Sequence, residues 1–86
     1  MRTVGDLLDA AKASPHYDAT IRAAVSRAER DRGASFAVYF DGETMFMRDG
    51  VAAPPVGSVC VCIAQWWSGG TVQVRYKGGH SEFVNV

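Results

Sequence analysis

Apolar and polar positions repeat with two different periods along this chain, and the period changes near Gly33. Before it, Val4, Leu7, Leu8 and Ala11 fall at i, i+3, i+4 and i+7, the stripe of a short helix. Thr3 is placed to cap that helix, with Asp6 near the positive end of its dipole. Ser14-Pro15 stops it and starts a second helix, predicted from about Pro15 to Arg32 with Ser14 as its cap. Tyr17, Ile21, Ala24, Val25 and Ala28 form its apolar face. Asp18 with Arg22, and Arg27 with Asp31, have the i, i+4 spacing of supporting ion pairs. Gly33 is the expected stop.

After Gly33 the period shortens to two. Ser35 to Phe40 and Glu43 to Arg48 read as a hairpin around Asp41-Gly42. Phe36, Val38 and Phe40 share a face with Met45 and Met47; Ala37 and Tyr39 share the other with Thr44 and Phe46. The segment 49–57, DGVAAPPVG, is a loop, because Pro54-Pro55 cannot donate to a ladder. Val59 to Ile63 is apolar at every position, the mark of a strand covered on both faces. Alternation points Val59, Val61 and Ile63 one way with Gln65 and Trp67. It points Cys60, Cys62 and Ala64 the other way with Trp66.

The following strand sets Val72, Val74 and Tyr76 against Thr71, Gln73, Arg75 and Lys77. A two-residue turn at Gly78-Gly79 opposes Lys77 to His80, Arg75 to Glu82 and Val74 to Phe83. At Ser68-Gly69-Gly70 two registers compete. An even loop pairs Trp67 with Val72 and Ile63 with Tyr76. A three-residue loop pairs Trp66 with Val72 and Cys62 with Tyr76. The even loop gathers the β-branched residues on one core face and is preferred, at the expense of placing Gln65 there.

Two helices followed by five strands predict an α+β fold: a single domain over 1–86, with a helical hairpin over 1–33 and a five-stranded antiparallel meander over 35–86. Both helices should cover one face. Five short strands can also curl into a small barrel of the Tudor or Sm kind, an architectural likeness that carries no function. At 86 residues such a chain buries only about 60% of its unfolded surface, so its core is thin. Nine basic residues balance nine acidic ones, which leaves no global field for nucleic acid or anionic membrane. The absence of a leader or a long apolar run points to a cytoplasmic protein. Two cysteines at i and i+2 sit roughly 6.7 Å apart, near the upper limit for a disulfide, and suit buried free thiols in a reducing compartment. Abundant Ala, Arg, Val and Gly suggest a bacterial or phage gene.

No motif of known catalytic or ligand specificity occurs. Cys60 and Cys62 with His80, and His16 beyond them, lack the paired spacing of a structural zinc site and read as core thiols. In His80-Ser81-Glu82 the hydroxyl points away from the other two groups. Cys62 lies between Val61 and Ile63, away from anything that favours a thiolate. The glycine pairs join strands and do not open a helix, so they make no phosphate loop. Neither cofactor nor metal nor catalysis is expected. The arginines of the second helix (Arg22, Arg27, Arg30 and Arg32) lie among acids and read as a solvated face.

Trp66-Trp67 is the informative oddity. Adjacent strand residues point opposite ways, and a thin core leaves one indole partly open. An exposed tryptophan beside arginine has the composition of a protein-binding hot spot, and Met45-Phe46-Met47 adds adaptable apolar surface. The expected contact residues are Trp66, Trp67, Arg75, Tyr76, Lys77 and His80. The function they point to is a small non-catalytic protein–protein interaction module. A phage-encoded inhibitor of a host defence complex, such as an anti-CRISPR, fits that class. The alternative is a small-barrel nucleic-acid-binding protein using Arg75, Lys77 and His80 beside Trp66. A small enzyme or metal-binding domain comes after it. The terminal strand, Ser81 to Val86, offers an open edge for a homodimer.

Overall fold

In a computed structural model, which describes residues 3–50 and 53–86, the first helix begins with a reciprocal cap. The Thr3 hydroxyl accepts from the Asp6 amide at 3.1 Å, and the Asp6 carboxylate accepts from the Thr3 amide at 3.2 Å. This helix, α1, spans Val4–Lys12, and α2 spans Tyr17–Arg30. Pro15 falls in the turn between them, and the Ser14 hydroxyl accepts from the His16 amide there and does not cap α2. The expected pairs Asp18–Arg22 and Arg27–Asp31 do not form. Among the described residues, the ion pair near this helix joins Glu29 in its last turn to Arg32 just beyond its end, at 2.8 Å.

Five strands follow: β1 (Ser35–Phe40), β2 (Met45–Asp49), β3 (Val59–Ser68), β4 (Thr71–Tyr76) and β5 (Ser81–Asn85). All pairings are antiparallel, so the α+β reading and the antiparallel sheet stand. The sheet is open, with edges at β2 and β5, and does not close into a barrel. Its order, β2-β1-β3-β4-β5, departs from a plain meander at one step: β3 lies beside β1 and not beside β2. β2 and β3 therefore run parallel on either side of β1, and the connection between them must travel the length of β1. On the face of β1 opposite Phe36, Val38 and Phe40, Ala37 and Tyr39 are just as buried. The long proline-containing connection makes the step feasible, since a tight turn cannot span a strand. Its end is fixed where the Pro55 carbonyl accepts from both the Ser58 amide and hydroxyl.

The core lies between the helices and one sheet face. Ala11, Ile21, Ala24, Val25 and Ala28 descend from the helices onto Phe36, Val38, Val59, Ala64, Val72 and Val74. Two irregularities in β3 decide what else joins them. The pairing shifts between Tyr39↔Cys60 and Val38↔Cys62, leaving Val61 as an extra residue. The simple alternation expected along β3 breaks there. Val59, Val61, Cys62 and Ala64 all enter the core, while Cys60 takes the opposite face from Cys62.

The second shift lies between Trp66 and Ser68. Ser68 pairs with Thr71 around Gly69-Gly70, Trp67 is left over, and from there Trp66 opposes Val72 and Cys62 opposes Tyr76. This is the register of the three-residue loop and not the preferred even one. It sends Gln65 to the open face, where it is exposed, and so spares the desolvation of a side-chain amide in the core.

The last hairpin also differs by one residue. The Tyr76 amide donates to the His80 carbonyl at 2.7 Å and the Gly79 amide to the Tyr76 carbonyl at 3.2 Å. The loop is therefore Lys77-Gly78-Gly79, with both glycines at positive φ (103° and 97°). Arg75 opposes Ser81, Val74 opposes Glu82 and Gln73 opposes Phe83. The anticipated Arg75–Glu82 and Val74–Phe83 pairs do not form. An exposed ion pair is worth at most about 1 kcal/mol. The observed register instead packs Val84 against the core and brings Glu82 to the Tyr76 hydroxyl at 2.8 Å.

Candidate protein-binding face

The slipped last hairpin and the shift at Trp67 together build the surface that distinguishes this molecule. Both turn an aromatic residue away from the helices. On the uncovered face of β3–β4–β5, Trp67 and Phe83 meet edge to face, with ring centroids 5.0 Å apart and planes at 67°. Trp67 remains 58% exposed and Phe83 54%. Around them lie Gln65, Gln73 and Thr71, and the Thr71 hydroxyl donates to the Asn85 side-chain oxygen at 3.1 Å. Arg75 stands on the same face, directed toward Gln65 at 3.4 Å. The result is an apolar aromatic centre with an amide-rich rim and one cation.

Trp66 takes the other face. It is half-buried beside the end of α2, where the Arg32 guanidinium lies over its ring, 4.9 Å from the centroid. Arg27 sits likewise over Phe36 at 5.1 Å. Two of the four helix arginines thus cover sheet aromatics and are not merely solvated. The indole N–H of Trp66 is buried without a partner among the described residues.

Tyr76, Lys77 and His80 belong to a third place, a cleft of about 340 Å³ on the helix side. Leu8 and Lys12 of α1 and Tyr17 of α2 close it from above; Val61 and Glu82 line the sheet side. The rings of Tyr76 and His80 lie 5.5 Å apart at 30°. Burial holds the Tyr17 phenol above its ordinary pKa. Burial and then the hydrogen bond to Glu82 do the same for Tyr76. Both phenols therefore stay protonated, as hydrogen-bond donors, at neutral pH. Burial pushes the Cys62 thiol up to about 12. It also raises that of Cys60, partly offset by Lys77. Neither sulfur is poised as a nucleophile, and their opposite faces keep them from acting together on one ion.

The six residues expected to form one contact surface are thus divided. Trp67 and Arg75 share the uncovered face, Trp66 sits under Arg32, and Tyr76, Lys77 and His80 line the cleft. Arg75 also stands away from the Trp66 ring it was expected to accompany. Phe83 is the residue of this candidate face that pattern reading missed, because the two-residue turn placed it inward opposite Val74. The available signal was Lys77 ahead of Gly78-Gly79, which equally fits a three-residue loop with glycine at its left-handed position.

Among the described residues no helix is long and apolar enough to cross a membrane. Comparison with protein-family models, curated proteins and solved structures finds no match to this chain.

Proposed function

We propose that this protein is a small non-catalytic module that binds another protein through the uncovered sheet face centred on Trp67 and Phe83. The observation that carries the reading is the pair itself: two large rings, packed on each other and more than half open to solvent. A monomer gains little by leaving such rings outside, whereas a partner that covers them gains the burial of a preorganised aromatic anchor. The rim suits a protein better than a polyanion, since Arg75 is its one cation among Gln65, Gln73, Thr71 and Asn85. On this reading the protein acts by covering a surface of its partner. It would suit an inhibitor of the kind phages direct against host defence complexes, anti-CRISPR proteins included. A reducing, cytoplasmic setting accords with two unpaired cysteines.

Affinity capture from bacterial host extract tests the proposal. Wild type, Trp67→Ala and Arg75→Glu are immobilised and washed at low and high salt. The expected result is a defined protein retained by wild type at both salt concentrations and lost with Trp67→Ala. Retention of nucleic acid alone, weakening steeply as salt rises, overturns the proposal. So does capture that is indifferent to Trp67→Ala.

A further inference from the structure

The backbone of β5 carries a second message, which does not depend on a foreign partner. The Tyr76 amide donates to the His80 carbonyl, and at the far end of the strand the Val86 amide donates to the Gly70 carbonyl at 2.7 Å. In an antiparallel ladder such hydrogen-bonded positions alternate with non-bonded ones. His80, Glu82, Val84 and Val86 therefore turn their backbone groups toward β4. Ser81, Phe83 and Asn85 turn theirs outward, at the free edge of the sheet. This edge has no proline and no bulge, and its lone charged side chain is Glu82, so it lacks the usual protections of an edge strand.

We infer that β5 pairs antiparallel with β5 of a second copy, about a two-fold axis at Phe83. That register sets Phe83 against Phe83 of the other copy, and Ser81 against Asn85 on each side. Every outward amide and carbonyl then meets its complement, each opposed pair exchanging two hydrogen bonds. Glu82 falls opposite Val84 of the other copy, so no like charges oppose each other. Moving the axis to Glu82 would oppose two carboxylates and set Asn85 against Gly79 of the turn, outside the strand. Zero net charge removes long-range repulsion between copies.

Side chains agree with the backbone. Phe83 and Trp67 share the uncovered face, so the two-fold joins both aromatic pairs into one row: Trp67 and Phe83 of one copy, then Phe83 and Trp67 of the other. Asn85 already accepts from Thr71 and keeps its amide N–H groups for Ser81 across the axis. The two five-stranded sheets become one continuous sheet, and the binding face becomes two-fold symmetric. An interface built on the same patch in both copies is the commonest closed assembly of soluble proteins.

Sedimentation combined with amide hydrogen exchange tests this on the whole chain. Raising the concentration from about 1 μM to about 1 mM should double the mass, a range that brackets an interface of this modest size. Exchange at Ser81, Phe83 and Asn85 should slow over the same range, while Glu82 and Val84 remain protected throughout. Asn85→Pro removes an outward N–H and spares the β4 ladder; it should keep the folded spectrum and weaken association at least about tenfold. Phe83→Lys, which sets like charges across the axis, should do the same. A monomer at the highest concentration overturns the inference. So does a dimer in which the three outward amides exchange as fast as in the monomer. Ser81→Pro removes another outward N–H at a residue outside the aromatic rim: loss of association there with host-protein capture intact would leave the binding proposal standing, and loss of capture in Trp67→Ala alone would leave this one standing.

Discussion

Trp67 and Phe83 pack edge to face on the uncovered face of the sheet, although neither belongs to the core. Their contact is worth about 0.5–1.5 kcal/mol at most, so its removal should be felt mainly in binding. Trp67→Ala is expected to lower folding stability by about 1.5 kcal/mol at most while weakening partner capture at least tenfold, a loss of about 1.4 kcal/mol or more. Val74→Ala, in the core with no exposed surface, should cost about 2 kcal/mol. Urea unfolding beside the binding assay separates the two effects.

Register in the last hairpin is open to a direct check. Arg75 opposes Ser81, and Glu82 accepts from the Tyr76 hydroxyl. A double-mutant cycle on Arg75→Ala and Glu82→Gln should give a coupling near zero. A cycle on Tyr76→Phe and Glu82→Gln should give about 0.5–1.5 kcal/mol. Coupling between Arg75 and Glu82 of the larger size would restore the two-residue turn.

Alkaline pH should unfold the protein earlier than its charge balance suggests. Burial moves the Cys62 thiol from 9.0 to about 12 in the folded state. An acid whose folded pKa is raised stabilises the fold below the unfolded pKa and loses that contribution as pH climbs toward the folded value. Stability should therefore fall above pH 9 by about 1 kcal/mol per unit. The slope steepens once the unfolded tyrosines ionise near 10, since Tyr17 and Tyr76 are raised in the same direction. Cys62→Ala should flatten the segment between 9 and 10 in denaturation curves taken across the range. An unchanged slope would refute the assignment. By the same cause, Cys62 should resist alkylation at pH 8 until the chain is unfolded.

Glycine matters at Gly79 and not at Gly33. Gly79 lies at φ 97°, a region that a side chain enters at a cost, so Gly79→Ala should destabilise by about 1 kcal/mol. Gly33 has an ordinary negative φ and open space where a Cβ would stand. Gly33→Ala should be neutral or stabilise by about 0.5 kcal/mol. Thermal unfolding of the two variants supplies the comparison.

Much of the architecture was legible in local pattern. The stripe from Val4 to Ala11 is a helix because side chains four apart share a face, and Thr3 with Asp6 starts it because both satisfy orphan amides. Phe36, Val38 and Phe40 point inward with Met45 and Met47 because the β1–β2 register obeys simple alternation. The Asp41 side chain accepts from the Glu43 and Thr44 amides and turns that hairpin. The candidate site was less legible: the tandem tryptophans marked the right stretch, but alternation alone did not say which indole stays outside.

What the sequence by itself determined is the inventory of elements, their antiparallel pairing at each glycine turn, and a surplus of aromatic residues over a thin core. Tertiary structure decided the rest: β3 beside β1, Val61 and Trp67 as extra residues, and the one-residue slip that exposes Phe83. All but the first of these turn on single-residue shifts of a ladder whose local bonds are nearly equal in either register. The balance is tipped by interactions outside the ladder itself: Val84 packed on the core, Glu82 bonded to the Tyr76 hydroxyl, and Gln65 kept in solvent.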